Sequence, residues 1–399
     1  MSKRIPIAVA IALIFIFSAL TVVITVSVYL RSYNKILSSV YQRSQQYTSL
    51  SDVDEIIKNN YYGEADPSSV MSGAARGYVS SLDGECLYLF PDEYEEYSSV
   101  KEGDFPGVGL SVEFDSYNNA LNIVSVSKGS PADIKGISSG DIIIEADNSE
   151  ITSENCDALI AKLNGREKNT VILKIKKASD DTVALIELTS VYRLKSVSYQ
   201  KSGEIGYIKL SAFYDDTVKL FKEAFNELNG EGIKGLIIDV RNNKSFNYAY
   251  ASDVIDVIVP LATEGNGAIA TALDYSGKSV EVYSSDASSV NIPLVVLVND
   301  RTEGAAELLA ADLRDFSKAL IVGETTAGNA SFQKEFSLDN GAVVVLTVAK
   351  ICPYISECYD GQGVVPDAVV PMALSQKNAL DFSEAPEDEQ YNTALSALS

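Results

Sequence analysis

The sequence contains no histidine among its 399 residues. The Ser-His-Asp triad and the Cys-His pair both use a histidine as the base that activates the nucleophile, so composition excludes these two kinds of catalytic site. The chain also has only four cysteines, and no two of them form a C-x-x-C pair. Because zinc sites are built chiefly from His and Cys, this argues against a zinc site, and we expect neither a metal nor a cofactor.

Basic residues are scarce as well. There are 32 Lys and Arg against 55 Asp and Glu, which gives a formal net charge of −23 and a pI of about 4.4. Nucleic-acid phosphates require clusters of Lys and Arg, so this balance argues against a nucleic-acid partner and against electrostatic docking on anionic lipid. The simplest interpretation of the acidity is solubility. The length is sufficient for two or three domains with real cores.

The cysteines allow two interpretations. Cys352 and Cys358 can close a small disulfide-bonded loop if this part of the chain lies in an oxidising compartment. The alternative is four free thiols that pack as small apolar side chains, including Cys86 and Cys156.

The N-terminal segment has the composition of a membrane anchor. From Ile5 to Leu30 the sequence is apolar and carries no charge, and about 20 such residues suffice to span a bilayer. The run exceeds the roughly 7–15 apolar residues of a signal-peptide core. We interpret residues 1–31 as an uncleaved transmembrane signal anchor of a single-pass cell-membrane protein, with the bulk of the chain extracytoplasmic. Cleavage after Phe17–Leu20 is the alternative.

Strands and helices alternate in the second half of the chain. Apolar runs typical of buried strands alternate with amphipathic helical segments, which predicts an α/β core over residues 185–373 with largely parallel pairing. The predicted strands are Ile205–Phe213, Gly235–Val240, Leu294–Val298 and Ala319–Val322, and the predicted helices are Thr217–Leu228, Ser252–Leu261 and Glu303–Arg314. Residues 32–103 are helix-compatible and are interpreted as a stalk or cap, and residues 374–399 as an acidic, mobile tail.

Three stretches of this core resemble one enzyme family. Leu297–Asp315, Val322–Gln333 and Gly235–Asn243 are similar to the central motifs of the C-terminal processing peptidases (tail-specific proteases), which are serine peptidases with a Ser–Lys dyad. The closing motif G-x-G-x-x-P-D-x-x-V is matched by Gly361–Val370. The resemblance covers residues 52–371 and implies an α/β peptidase-like domain preceded by a PDZ domain. The shared anchors of the first two stretches are Asn299, Glu307, Ala310, Leu313, Asp315, Gly323, Glu324, Thr326, Gly328 and Gln333.

The resemblance fails where the family carries its chemistry. The nucleophilic Ser of the family aligns with Gly304, and its Lys base aligns with Asn329. Neither residue can perform the role, because glycine has no hydroxyl and an amide is not a base at neutral pH. The family's Pro-Gly-Gly, whose backbone helps to form the oxyanion hole, is replaced by Lys244, Ser245 and Phe246. The catalytic machinery is therefore degenerate, although Gln333 is retained.

A PDZ domain is predicted over residues 104–184. Ser130–Ile144 is similar to the PDZ pattern S-P-A-x-x-A-G-I-x-x-G-D-x-I, with Lys135 in place of the second Ala. A PDZ domain binds a peptide as an added edge strand and holds its terminal carboxylate with loop N–H groups. The resemblance assigns that loop and the start of the following strand to Phe105, Gly107, Val108, Gly109 and Leu110. The alternative is a PDZ domain kept only as a spacer.

Three hypotheses follow for the whole chain. The first is a non-catalytic homologue that binds peptides or protein C-termini as an adaptor or regulator, as a homo-oligomer or with an active relative. The second is a serine-type endopeptidase with a relocated dyad, for which Thr302, Ser331 and Lys334 are the candidates. Thr302 is equally compatible with a helix N-cap, and Lys334 with an ordinary exposed lysine. The third is a structural scaffold without a ligand.

Overall fold

The computed structural model describes residues 17–18, 20–31, 33, 47–127, 129–165, 169–259, 267–285, 291–380 and 388–398. It divides into two units between Gly77 and Tyr78. In the first unit, α1 (Thr48–Asn60) has no buried residue, and α2 (Pro67–Ser80) begins there. No helix within the described ranges is both long and apolar enough to cross a membrane. Half of the predicted anchor, Ile5–Leu30, lies outside these ranges.

The second unit begins with β1 (Leu87–Leu89), α3 (Pro91–Lys101) and β2 (Asp104–Phe105), followed by a module with its own core. The module contains a sheet in the order β3-β4-β5-β7-β8, with β6 beside β5. Its fully buried side chains include Val108, Leu121, Ile143 and Leu173. The elements are β3 (Leu110–Asp115), β4 (Ala120–Val126), α4 (Pro131–Ile134), β5 (Ile142–Ala146), β6 (Ser149–Glu150), α5 (Cys156–Leu163), β7 (Thr170–Lys176) and β8 (Val183–Thr189).

The α/β core follows β9 (Tyr192–Arg193) and is built on a six-stranded sheet in the order β10-β11-β12-β15-β16-β19. The pairs β11–β12, β12–β15, β15–β16 and β16–β19 are parallel, and β10–β11 is antiparallel. Its strands are β10 (Val197–Ser202), β11 (Ile205–Leu210), β12 (Gly235–Asp239), β15 (Leu294–Val298), β16 (Leu320–Gly323) and β19 (Ala368–Val369). The mixed α/β fold predicted from the alternating pattern is confirmed.

Helices cover both faces of this sheet. Alternate residues of one strand enter different cores: Ile238 packs with α6 (Thr217–Gly230), α7 (Tyr248–Ile258) and α8 (Ala305–Ser317), whereas Ile237 packs with Tyr391 and Ala394 on the opposite face. Because both faces are covered, most residues of the central strands are apolar, with Lys209 and Asp239 as buried exceptions. Predicted and observed helix ends differ by a few residues, and the end of the predicted Ser252–Leu261 helix lies outside the described ranges.

The second unit also contains another sheet. Its order is β1-β18-β13-β14, and β17 pairs with β18. The elements are β13 (Ala268–Leu273), β14 (Ser279–Ser284), β17 (Ser331–Ser337) and β18 (Val343–Pro353). Cys352 at the end of β18 is disulfide-bonded to Cys358, whereas Cys86 and Cys156 are free and buried. The small disulfide loop is therefore confirmed, and the alternative of four free thiols is wrong.

The C-terminal region differs from the predicted mobile tail. It forms α9 (Leu374–Leu380) and α10 (Glu389–Ala397), and Tyr391 is only 6% exposed. The buried Arg241 side chain donates to both Asp239 and Asp388, at 2.6 and 2.9 Å for the closest pairs. This buried ion-pair network holds the beginning of α10 against the sheet, which an acidic composition did not reveal.

Candidate functional site

Three loops meet at the carboxyl ends of adjacent parallel strands. The loop after β12 carries Asn243–Asn247, the turn after β15 carries Asn299–Gly304, and the loop after β16 carries Glu324–Ala330. Crevices at this edge of a parallel sheet are the usual place for ligand and active sites in α/β proteins. The structure therefore brings the three degenerate motifs to one place.

Gly304 has a backbone conformation and surroundings that leave no room for a side chain. Its φ is +68° and its ψ is −118°, a conformation that residues with a Cβ rarely adopt. A Cβ added to this residue would lie 2.7 Å from the carbonyl oxygen of Ser245 and 3.0 Å from Cδ1 of Phe246. The loop that replaces the family's Pro-Gly-Gly thus occupies the space in which a nucleophilic side chain would stand.

The backbone donors near Gly304 are already paired. The N–H of Ala305 donates to the carbonyl oxygen of Ser245 at 2.8 Å, and the N–H of Glu303 donates to Asn243 O at 2.9 Å. The N–H of Gly304 itself donates to Glu307 Oε2 at 3.0 Å. An oxyanion hole requires N–H groups aimed at the position where negative charge develops. All three donors of this turn are committed to internal acceptors.

Glu307 joins the two former dyad positions. Its carboxylate is buried and accepts hydrogen bonds from Thr326 Oγ1, Gly328 N and Asn329 N at 2.5, 2.6 and 2.9 Å, besides that from Gly304. Burial raises the pKa of Glu307, and these hydrogen bonds act in the opposite direction. The carboxylate fixes the position of the loop after β16 relative to the start of α8.

Asn329 is held between two carboxylates. Its side-chain amide donates to Glu85 and to Glu303 Oε1, the latter at 2.9 Å. Gln333 is also directed at this corner, since its Nε2 donates to the carbonyl oxygen of Glu85 at 3.0 Å. Glu85 lies outside every motif in the sequence, so nothing in a local pattern identified it. The site is acidic around the position where the family has its base.

Residues 204–370 match the model of Peptidase family S41. The chain is 30% identical over 324 residues to the carboxy-terminal processing protease CtpA of Bacillus subtilis (strain 168). This alignment covers 80% of this chain and 68% of that protein. The chain belongs to peptidase family S41. A probable CtpA-like serine protease of Staphylococcus aureus (strain COL) is 26% identical over 390 residues, 95% of this chain and 77% of that one.

A solved structure is similar over most of the chain. The photosystem II D1 C-terminal processing protease matches this S41 member with a TM-score of 0.52 and 25% sequence identity, covering 82% of this chain and 88% of that one. The resemblance to the C-terminal processing peptidases is thereby confirmed. The family model begins at residue 204, after the module that contains β3 to β8 (residues 104–190), so the PDZ domain predicted over residues 104–184 stays a prediction.

The proposed replacements for the S41 dyad do not form a pair in the structure. Thr302 is buried, and its hydroxyl donates to Val240 O and accepts from the N–H of Asn299, both at 3.0 Å. The prediction that Thr302 caps the helix is wrong, because α8 starts at Ala305 with Gly304 as its N-cap. Lys334 is exposed, and its ammonium lies 5.9 Å from the centroid of the Phe332 ring.

Ser331 does contact a lysine, but one that the sequence did not single out. Lys350 Nζ donates to Ser331 Oγ at 3.2 Å, across the β17–β18 ladder in which the two residues are partners. The same ammonium forms an ion pair with Asp360 at 3.0 Å. In this contact the lysine is the donor and the Ser331 hydroxyl is the acceptor, which is the reverse of the proton transfer that a lysine base would perform.

A buried carboxyl group lies behind the site. Asp312 in α8 stands where the family motif has Ala, and both of its carboxylate oxygens are buried without a hydrogen-bond partner in the described part of the chain. Burial raises the pKa of Asp312 well above its ordinary value. A second polar group, the hydroxyl of Tyr359, donates to Gly304 O at 3.2 Å. No sequence pattern indicated the burial of Asp312 or the hydrogen bond of Tyr359.

The predicted carboxylate-binding loop is partly closed by its own module. The N–H of Gly107 donates to Gly165 O at 3.0 Å, and the N–H of Val108 donates to Leu163 O at 2.8 Å. A Cβ on Gly109 would lie 2.1 Å from that of Ser130, so this glycine is required by close packing. Phe105 stacks on Tyr192 with 5.6 Å between ring centroids, and Leu110 begins the strand β3.

Proposed function

We propose that this S41 member does not cleave peptides, and that it binds peptides or protein C-termini as an adaptor or regulator. The observation that carries the first half is at Gly304: no side chain is present, and the carbonyl oxygen of Ser245 lies 2.7 Å from the place where Cβ would be. A serine peptidase requires a hydroxyl at this point and a base to deprotonate it. Both requirements are unmet, and the nearby Ala305 N–H is occupied.

The electrostatics around Asn329 support the same half of the proposal. A lysine acts as a general base only when burial or a neighbouring cation lowers its pKa. At this position Glu85 and Glu303 both accept from the side chain, so they would hold an ammonium in its charged form. The lysine base of the family is absent at residue 329, and the carboxylates around this residue would also be unsuited to such a base.

The binding half rests on the module of residues 104–190, for which we propose a PDZ-like peptide site. Strand β3 is at the edge of its sheet and has β4 as its only neighbour within the described ranges. An edge strand beside a helix can accept an extended peptide as an additional strand. Because Val108 N–H is used internally, a terminal carboxylate would depend on the remaining donors of the loop, at Gly109 and Leu110.

We also propose that the N-terminal segment anchors the chain in the cell membrane, with the bulk of the chain outside. The support is the uncharged apolar run Ile5–Leu30 together with the disulfide between Cys352 and Cys358, a bond typical of oxidising compartments. Accessibility of an epitope at residue 399 to antibody on intact cells tests the orientation. Staining only after permeabilisation would overturn it.

The test of function uses the full-length chain and unstructured peptides with apolar C-termini. Mass spectrometry after prolonged incubation reports cleavage, and fluorescence anisotropy with labelled peptides reports binding. We expect intact peptides and saturable binding that is lost when the C-terminal carboxylate is amidated. Cleavage would overturn the non-catalytic assignment, and equal binding of the amidated peptides would overturn the assignment of a terminal-carboxylate site.

A second candidate function is peptide cleavage by the Ser331–Lys350 pair, which the 3.2 Å contact favours. Ser331 is only 3% exposed, and Lys350 is ion-paired with Asp360, so both partners are unsuited to attack a substrate. The pair of variants Ser331→Ala and Lys350→Met separates the two functions. Cleavage by the wild-type chain that disappears in both variants would establish this candidate in place of our proposal.

A further inference from the structure

A cleft of about 420 Å³ is lined by Phe246, whose Cδ1 lies 3.0 Å from the place of a Cβ on Gly304. Helix α3 forms one wall with Tyr94, Ser98 and Lys101, and strand β17 forms the other with Phe332 and Gln333. This size is within the range of small-ligand sites and is sufficient for one large side chain. Phe246, which lines this cleft, replaces a glycine of the family motif.

Aromatic rings form the floor of the cleft. The ring centroids of Tyr248 and Phe332 are 6.1 Å apart, and those of Phe246 and Tyr248 are 6.5 Å apart at an interplanar angle of 77°. Tyr248 and Phe332 are 3% and 8% exposed, so their positions are fixed by packing. Aromatic surfaces at these separations favour edge-to-face and offset contacts with another ring. An aromatic side chain in the cleft would find ring edges and faces to pack against, beside polar groups of the lining.

One end of the cleft is closed by polar contacts between its walls. Lys101 Nζ lies 2.6 Å from Glu335 Oε1, and Tyr94 Oη donates to Glu335 Oε2 at 2.7 Å. Asn247 Nδ2 donates to Lys101 O at 2.9 Å, which ties the Phe246 loop to α3. These bonds cross between separate elements and hold the walls apart at a fixed spacing. The cleft is therefore a built pocket and does not require a rearrangement to open.

Backbone groups beside the pocket are available to a peptide. Strand β17 pairs with β18, and within the described ranges no strand lies along its other edge. An edge strand presents a row of N–H and C=O groups that a second extended chain can pair with. Since Phe332 and Gln333 belong both to this edge and to the pocket, a peptide strand added here would place a side chain at the pocket mouth.

The negative charge at the pocket favours basic peptides over acidic ones. The carboxylate of Glu102 lines the pocket, is exposed, and has no ion pair in the part of the chain that the structure describes. The chain as a whole carries a formal charge of −23. A negative rim and a negative protein attract cationic partners and repel acidic ones. A peptide with a lysine or arginine next to its aromatic residue complements this rim.

We propose that the cleft binds an aromatic side chain within an extended basic peptide segment, whose backbone pairs with the free edge of β17. This inference rests on the proposed function for the class of ligand, a peptide. It differs in needing no free C-terminus, because the pocket recognises an internal residue. The chain would then hold two separate peptide contacts, one on the module of residues 104–190 and one on the α/β body.

The absence of tryptophan from the protein provides a direct assay. The probe is the peptide acetyl-Ala-Ala-Lys-Trp-Lys-Ala-Ala-amide, titrated with the full-length chain while tryptophan emission is recorded. We expect a saturable blue shift, since the indole would leave water for the aromatic pocket. A peptide with Glu in place of both Lys residues is expected to bind about tenfold or more weakly at low salt, a difference that 1 M salt removes.

A space-filling variant tests the location. Ala249 lines the cleft from the first turn of α7 and is exposed, so Ala249→Phe fills the pocket without disturbing the core. We expect it to weaken binding of the tryptophan peptide at least tenfold. The matched control is Ala178→Phe, the same change at an exposed position away from the cleft, and it is expected to leave binding unchanged.

The outcomes separate this inference from the proposed function. No saturable shift with the blocked peptide, or equal binding by Ala249→Phe and the wild-type chain, would overturn the pocket. Binding of peptides through a free carboxylate is measured with a different set of peptides and can succeed or fail independently. Blocked-peptide binding that Ala249→Phe weakens and Ala178→Phe does not would establish the pocket even if the terminal-carboxylate site fails.

Discussion

The backbone N–H of Ala305 donates to the carbonyl oxygen of Ser245 at 2.8 Å. The acceptor is a main-chain carbonyl of the loop after β12, and the donor is the first residue of α8, next to Gly304. This N–H beside Gly304 is therefore already paired within the protein. If the proposed loss of catalysis is right, we expect that restoring the two side chains alone would not restore a peptidase, because this contact would remain.

Replacement of Glu307 by Ala should destabilise the fold strongly. Four donors would lose their acceptor at a buried position, each at a cost of about 1 kcal/mol or more, so we expect a loss of at least ~3 kcal/mol. Urea unfolding followed by circular dichroism measures the loss. Glu303→Ala, at a less buried neighbouring carboxylate, is the control and should cost less than ~1 kcal/mol. Equal effects of the two changes would contradict the role given to Glu307.

Replacement of Asp312 by Ala should stabilise the protein, and more so as the pH rises. Burial raises the pKa of this carboxyl in the folded state above that of the unfolded chain. The stability that belongs to the protonated form is fully present below the unfolded pKa of about 4 and is lost as the pH rises towards the folded pKa. The gain from the variant should therefore be near zero at pH 4 and about 1–3 kcal/mol at pH 8.

Urea unfolding of both chains at the two pH values measures this difference. Asp339→Ala, at an exposed carboxylate in a turn, is the control for the removal of one charge. Glu307, whose pKa is raised in the same direction, is present in all three chains and cancels in the comparison. A variant that is less stable than wild type at pH 8 would show that Asp312 has a stabilising partner.

Loss of the Tyr391 side chain should destabilise the α/β core. The ring is 6% exposed and makes an edge contact with Tyr207 at 5.5 Å between centroids, so Tyr391→Ala should cost about 3 kcal/mol. Tyr275→Ala is the matched control, because Tyr275 is fully exposed in the turn between β13 and β14. Thermal unfolding by calorimetry reports both. No difference between them would support the predicted mobile tail instead of the docked helix.

A lysine introduced at residue 329 should remain charged. The carboxylates of Glu85 and Glu303, which now accept from the Asn329 amide, would flank the ammonium and raise its pKa. We expect Asn329→Lys to fold normally and to react slowly with an amine-selective reagent at pH 9, and Asn329→Lys with Glu303→Gln to react faster. Peptide mapping by mass spectrometry measures the modification at this residue. A single variant that reacts as fast as the double one would contradict the acidic surroundings.

Much of the scaffold could be predicted from the sequence because its signals are local. Leu236–Ile238 and Leu294–Val298 are continuous apolar runs, and both lie in central parallel strands with every residue buried. The start of α8 could not be placed, since Thr302 fits the usual N-cap preference. Its hydroxyl is used instead to bridge two loops, and the helix begins three residues later. At this helix start, tertiary contacts override the N-cap preference of threonine.

The candidate site was only half predictable. The absence of a side chain at residue 304 is visible in the sequence, but the obstruction by Ser245 arises from a backbone carbonyl, which no residue type encodes. Glu85 reaches Asn329 from more than 240 positions away, and Lys350 meets Ser331 through strand register. The docking of α10 depends on Asp388 reaching the buried Arg241. Long-range pairings of this kind have no signature in composition or spacing.

The most direct test of the account is the turnover of reconstructed variants on an unstructured peptide with an apolar C-terminus. One variant carries Gly304→Ser and Asn329→Lys, and a second adds Lys244→Pro, Ser245→Gly and Phe246→Gly. The account predicts no product from the wild-type chain or the first variant, and product only when the loop is also replaced. Cleavage by the first variant at the rate of the second, or by the wild-type chain itself, would contradict the claim that Ser245 and Phe246 fill the site.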